Sequence, residues 1–218
     1  MLVSAICPTF NRRNLIKVAI ASFLAQDWPE KEMVIVDDGQ ISIADLIEDV
    51  PGVRYVRPAT RHTIGTKRNV ACDAAQGEVI VHFDDDDWSA PIRIKDQVNR
   101  LLQSGKQVTG YHTMLFWNGQ RAYRYIGDQW YATGTSLCYF KAFWKRHPFP
   151  DIDRAEDNAL VFEARDQHAI ESVDAGKLIV GRVHGANTFP YSALGKSEQW
   201  PEVPKSEIPQ AFFEAIAA

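Results

Sequence analysis

Apolar positions along the first hundred residues follow two alternating patterns. Leu2 to Cys7 is a nearly continuous apolar run closed by Pro8, the pattern of a buried strand. Leu15, Val18, Ala19, Ser22 and Phe23 then recur at helical spacing, with Asn11 placed to cap that helix. Met33 to Val36 is a second strand, stopped by the turn residues Asp37, Asp38 and Gly39. A short helix is predicted over Ile43 to Glu48, a third strand over Val53 to Val56, and a helix over Gly65 to Gln76 ended by Gly77. Glu78 to Phe83 is a fourth strand. Ser89 is predicted to start a helix whose inner face carries Ile94, Val98, Leu101 and Leu102, stopped at Gly105. Repeated strand–helix units of this kind predict an α/β domain with a mostly parallel sheet covered by helices.

Beyond Gly105 the pattern changes. Gln107 to Trp117, the pair Asn118-Gly119, and Gln120 to Ile126 read as a hairpin. Thr135 to Phe140 and Leu178 to Val183 are strand candidates, and Ala155 to Arg165 a helix. No repeat or linker divides the chain, so a single domain over 1–185 followed by a tail, 186–218, is the expectation. Ile208, Phe212, Phe213 and Ile216 lie on one side of a short helical piece in that tail. Such a stripe can pack on the core, rest weakly on a membrane or bury in a homodimer; core packing is the preferred of the three.

The 218 residues carry 24 basic and 28 acidic side chains, a net charge of −4 and a pI near 5.9. That balance, without a long basic run, argues against nucleic acid as a partner. No stretch approaches the roughly 20 apolar residues of a membrane span, and nothing at the start reads as a signal peptide. Cys7, Cys72 and Cys138 are scattered and form no CxxC pair, which suits small buried hydrophobes in a reducing compartment. A cytoplasmic protein, with a peripheral place at the inner face of the membrane left open by the tail, is the expectation.

The acidic excess is concentrated. Asp84, Asp85, Asp86 and Asp87 stand in a row directly after the fourth strand, and in open α/β sheets ligands collect at the carboxyl ends of strands. If the run stays extended, Asp84 and Asp86 point one way and Asp85 and Asp87 the other. Converging carboxylates are what a hard cation such as Mg²⁺ or Mn²⁺ requires. Thr9 and Asn11 follow the first strand, Asp37 and Asp38 the second, and Arg61, His62, Lys67 and Arg68 the third. Singly, each has an ordinary structural explanation as a cap, a turn or helix surface. Together they place hydrogen-bonding and basic groups beside a cation, a combination that suits a nucleoside diphosphate.

The segments SAICPTFNRRNLIKVAIASFLAQDWPEKEMVIVDDG, GTKRNVACDAAQGEVIVHFDDDDW and RAEDNALVFEA resemble the successive signatures of family 2 glycosyltransferases. The resemblance implies the GT-A fold: a Rossmann-like, mostly parallel sheet flanked by helices, with residues 1–105 binding nucleotide and a small antiparallel part, 106–185, facing the acceptor. It implies a nucleotide-sugar donor, UDP-linked in most members, and Mn²⁺ or Mg²⁺ held by a D-x-D motif. Carried over by position, Thr9 and Asp38 match base contacts, joined by Asn11, and Lys67 and Arg68 lie near the diphosphate. Asp85 matches a ribose contact, and Asp84 and Asp86 match metal ligands. Glu156 and Asp157 match the acidic pair that holds the catalytic base in inverting members, with Asp157 as that base. His184 resembles a carboxyl-terminal metal-ligating histidine.

The implied reaction is displacement by an acceptor hydroxyl of a glycan, a lipid-linked saccharide or a protein, with no membrane span in the chain. No Q-x-x-R-W pattern follows the acidic pair, which favours transfer of a single sugar. Gly134, Thr135 and Ser136 align with the acceptor side, and Trp130 and Tyr131 are placed to stack on a sugar. Two other readings stay open: a binding module for nucleotide-sugar and cation that lacks turnover, and a nucleotidyltransferase. The second is disfavoured because CPTFNRRN contains no glycine.

Overall fold

The computed structural model describes residues 1–188, 192 and 194–217. In chain order the elements are β1 (Val3–Thr9), α1 (Ile16–Leu24), β2 (Lys31–Asp37), β3 (Val53–Val56), α2 (Ile64–Ala74), β4 (Val79–His82), β5 (Trp88–Ser89) and α3 (Arg93–Ser104). They continue with β6 (Val108–Trp117), β7 (Ala122–Ile126), β8 (Cys138–Phe140), α4 (Lys141–Arg146) and α5 (Glu156–Asp166). The last are β9 (Ile170–Asp174), β10 (Ile179–Arg182), β11 (Glu202–Val203) and α6 (Gln210–Ala217).

One sheet runs in the order β11-β7-β6-β8-β4-β1-β2-β3. Its first half is parallel as expected: β1 lies between β2 and β4, with Ala5 opposite Met33 on one side and Val81 on the other. Every residue of β1 and β4 is buried, which is why both read as apolar runs rather than alternating ones. From β8 onward the sheet is mixed. The long strand β6 is antiparallel to β8 and β7 but parallel to β9 near its start and to β10 near its end. Changing partners along one strand curls this half over the first.

Several expected boundaries move. Ser89 does not begin a helix; it pairs with Ile179 in β5–β10, and α3 starts only at Arg93. Leu102, expected on the inner face of α3, is 52% exposed, because the inward stripe is completed by Gln97 and Arg93 instead. Asn11 caps no helix: it adopts φ 55° and its Oδ1 accepts from Gln40 N at 2.7 Å, so it ties the ends of β1 and β2 together. The helix over Ile43 to Glu48 shrinks to a 3₁₀ turn, Ala44–Leu46. Gly134–Ser136 is likewise a 3₁₀ turn before β8.

Two layers of side chains cover the sheet. Ile16, Phe23, Met33, Ile35, Val81 and Val98 cluster on one face, and Ile6, Val34, Ala71, Tyr139, Phe143 and Leu160 on the other. The three cysteines are free and buried within these layers. In the tail, Ile208 and Phe212 are buried against Trp88, Leu115, Trp117 and Val180, with Phe213 and Ile216 packed on the same cluster. The apolar stripe of the tail is thus core packing. Residues 189–191, 193 and 218 of the expected tail lie outside the described residues. Among the described residues no helix is long and apolar enough to cross a membrane.

Candidate active site

The carboxyl ends of β1 and β4 and the amino ends of α2 and α5 open onto a cleft of about 940 Å³, near the upper end of small-molecule pockets. Thr9, Lys67, Arg68, all four aspartates, Gly134, Glu156 and Asp157 line it. Sequence-distant candidates therefore share one chamber.

The acidic run does not stay extended. Asp87 N–H donates to Asp84 O at 3.3 Å, turning the chain at Asp85 and Asp86. Each carboxylate consequently has its own partners. Asp84 accepts from Arg68 Nη2 at 3.0 Å, and Asp87 Oδ1 from the Arg182 backbone N–H at 2.9 Å. Asp85 accepts from Thr9 Oγ1 at 2.7 Å and from Arg12 Nη1 at 2.8 Å. Asp86 Oδ2 accepts from His184 Nε2 at 2.9 Å, Asn187 Nδ2 at 3.1 Å and Arg12 Nη1 at 3.3 Å. Burial, then the charge of Asp86, pushes Asp85 up to about 6. Burial and the neighbouring Asp86 and Asp84 hold Asp87 well above the usual carboxylate range, and burial also raises Asp84 against the pull of Arg68.

Asp38 stands apart from the other candidates. Its side chain has 0% exposure; Oδ1 accepts from Lys67 Nζ at 2.9 Å and Oδ2 from the His62 backbone N–H at 2.7 Å. It holds Lys67 and the 61–63 loop in place from beneath the cleft. Lys67 also donates to Thr9 O at 3.0 Å. Above them Arg61 lies over the ring of Phe10, 4.3 Å from its centroid.

The second acidic pair divides its tasks. Glu156 is buried and accepts from Arg68 Nε at 2.8 Å, leaving Arg68 Nη1 buried without an acceptor among the described residues. Asp157, one position on, rests against Gly134: a Cβ at position 134 would lie 2.0 Å from its Oδ2. Burial, then the charge of Glu156, pushes Asp157 up to about 6, with Arg68 pulling the other way. The docking of α2 on the entry to α5 makes this possible. Thr63 and Thr66 donate to Asp151 at 2.6 and 2.7 Å, Ile64 N–H to Asp153 at 3.1 Å, and Gly65 packs so closely that a Cβ would meet Pro150 O at 1.9 Å.

Three contributors carry no signal in the sequence: Arg12, Asn187 and His82. His82 Nδ1 lies 2.8 Å from Gly134 O, and Nε2 lies 3.0 Å from Tyr139 Oη. A carbonyl only accepts, so Nδ1 carries the proton and Nε2 accepts from the tyrosine. Burial, then the charge of Arg68, holds His82 well below its ordinary value, consistent with this neutral form. The imidazole thereby fixes the turn on which Asp157 sits. Trp130, 37% exposed, stacks with Phe162 and Arg165 outside the cleft, whereas Tyr131 lines it.

Residues 4–169 match the sequence profile of Glycosyl transferase family 2, and the chain belongs to that family. It is 35% identical over 122 residues to WcaA of Escherichia coli (strain K12), a glycosyl transferase assigned provisionally to colanic acid biosynthesis; the match covers 54% of this chain and 42% of that protein. It is 31% identical over 91 residues to the GalNAc(5)-diNAcBac-PP-undecaprenol beta-1,3-glucosyltransferase of Campylobacter jejuni, covering 39% and 29%. These matches thus span less than half of the relatives' own length. S. aureus TarS 1-349 in complex with UDP-GlcNAc superimposes with a TM-score of 0.74 at 22% identity, over 86% of this chain and 60% of that one. The mannosyltransferase PcManGT of Pyrobaculum calidifontis, in complex with GDP-Man and Mn²⁺, gives 0.69 at 17%, over 85% and 58%. At those identities the likeness is one of fold, and the fold is that of the GT-A glycosyltransferases.

Proposed function

We propose that the chain transfers one sugar from a nucleotide-sugar, UDP-linked, to an acceptor hydroxyl with inversion at the anomeric carbon. The carrying observation is the single cleft lined both by the acidic turn and by Asp157 on its Gly134 seat. On this reading residues 1–105 form the nucleotide-binding part and 106–185 the acceptor-side part. The acceptor is a glycan, a lipid-linked saccharide or a protein.

Among the described residues no group of three His, Cys, Asp or Glu side chains is already arranged around a metal. Asp86 and His184 nevertheless meet at 2.9 Å, and carboxylate with imidazole is a set that a divalent cation such as Mn²⁺ accepts. Asp86 and His184, with Asp84, are the residues that would hold it, and when bound it would supply positive charge to the leaving diphosphate.

The protein's own groups account for the rest. Asp157, ionised above about pH 6, accepts the proton of the acceptor hydroxyl as its oxygen bonds to the anomeric carbon. The bond from that carbon to the diphosphate oxygen breaks, and its electron pair leaves with the nucleotide. Lys67 and Arg68, whose Nη1 has no acceptor among the described residues, offer positive charge on that side. Glu156 is occupied by Arg68 and orients it.

Melting curves with UDP, GDP, dTDP and CMP, with and without MnCl₂, test the donor reading. UDP with Mn²⁺ is expected to raise the melting temperature; stabilisation by another nucleotide alone refutes the UDP assignment. Asp157→Asn is expected to keep that shift and lose transfer by 10²- to 10⁴-fold, on the order of a general base's contribution. Asp86→Ala is expected to lose both. Wild-type turnover by Asp157→Asn removes Asp157 as the base.

A further inference from the structure

Asp85 and Asp86 are buried carboxylates, groups that need a cation or several donors close by. Arg12, with a side chain only 19% exposed, supplies the cation. Its Nη1 donates to Asp85 Oδ1 at 2.8 Å and lies 3.3 Å from Asp86 Oδ2, while Nη2 donates to Ala186 O. One guanidinium thereby ties the acidic turn to the segment 184–187. Neighbouring Arg13 pairs with Asp45 on the surface instead, so nothing else of that stretch shares the task.

A dication that takes Asp86 Oδ2 meets the three donors that converge on it, from Arg12, His184 and Asn187. Asn187 is neutral and can turn aside. His184 can become a ligand, but only after a change of tautomer. Its Nε2 faces a carboxylate oxygen and so carries the proton, and its Nδ1 accepts from Ala186 N–H at 3.2 Å. Ligation through Nε2 puts the proton on Nδ1, where it opposes the Ala186 N–H, and the segment must shift. Arg12 has no lone pair to offer and stays charged, so it and the dication repel one another beside Asp86 and compete for Oδ2.

We infer that Arg12 is the resident counter-ion of Asp85 and Asp86 and competes with the divalent cation, so that loading requires Arg12 to release Asp86 and Ala186. This rests on the metal-dependent reading proposed above. The bond to Asp85 is the pivot that can persist through the exchange, and cation binding is linked to release of the segment 184–187.

The test titrates MnCl₂ alone into wild type, Arg12→Gln and Arg12→Lys, with free Mn²⁺ followed by electron paramagnetic resonance and melting recorded with and without the metal. Arg12→Gln is expected to bind Mn²⁺ roughly tenfold more tightly, within the range of coupled sites. It should also melt lower than wild type without metal and gain more from adding it. Arg12→Lys, which keeps the charge and loses the fork, is expected to fall between. Equal or weaker Mn²⁺ affinity in Arg12→Gln overturns the inference while the metal-dependent reading stands. If Arg12→Gln does not fold, an affinity of Arg12→Lys no higher than wild type overturns it equally. Absence of Mn²⁺ binding in wild type and both variants overturns inference and reading together.

Discussion

Glu156 and Asp157 are neighbours in one helical turn, where the helix dipole favours both, yet their surroundings separate them. Arg68 claims Glu156, and Asp157 is left against Gly134 with its carboxyl raised to about 6. The sequence named the pair and, through the resemblance, Asp157 as base; what sets the two apart physically is a guanidinium 88 positions earlier in the chain. Gly134 follows the same logic, since only a missing side chain lets Asp157 approach. Gly134→Ala is expected to displace the carboxylate and lower transfer about 10²-fold, the cost of an ångström-scale misplacement. The melting temperature should change little. Steady-state rates at saturating donor check this, and unchanged turnover would mean that the seat does not set the position of Asp157. Arg12 shows the opposite case. Nothing in the run Asn11-Arg12-Arg13-Asn14 distinguishes the arginine that turns inward from the one that pairs on the surface.

Elements built on a single buried run were readable to within a residue or two, as with β1, β2 and β4, because continuous apolar runs reflect burial on both faces. Elements whose existence depends on a partner were not. Trp88–Ser89 is a strand only because β10 lies beside it, and the turn at Asp85 and Asp86 is held by donors brought from elsewhere in the chain, Thr9 on Asp85, His184 on Asp86 and Arg12 on both. The 3₁₀ turn Gly134–Ser136 likewise replaces part of an expected strand where His82 and Asp157 converge on Gly134. α6 belongs to this group as well. Its stripe could have faced core, membrane or a second copy, and packing decides for the core, with Phe212 at 0% exposure. Phe212→Ala is expected to cost about 3–5 kcal/mol of stability, read from urea unfolding. A loss under about 1 kcal/mol would show that this helix is not integral to the fold.

At the scale of the whole molecule the cleft is a concentration of uncomfortable negative charge. Asp84, Asp85, Asp87 and Asp157 are all held above the ordinary carboxylate value, Asp85 and Asp157 at about 6. A raised acid binds more protons in the folded than in the unfolded chain between its ordinary and its folded value, so stability grows as pH falls through that interval. Buried His82, held well below its ordinary value, opposes this because the unfolded histidine takes up a proton first, but four raised carboxylates outnumber it. The metal-free protein is expected to melt higher at pH 5 than at pH 7, and saturating MnCl₂ should reduce the difference by favouring ionised Asp84. A melting temperature that falls from pH 7 to pH 5 without metal would contradict this. Transfer should follow the other direction, declining below about pH 6 as Asp157 takes up its proton. The alternation of strand and helix, the parallel first half of the sheet and the place of the acidic run at a strand end are all written in the order of residues along the chain. Those features arise from local periodicity and from residues that are neighbours along the chain. Which charges meet is set by folding, which joins Arg12 to Asp85 across 73 positions and His184 to Asp86 across 98. Electrostatic partners are chosen by distance through space, and that distance comes into being only when the two halves of the sheet curl together.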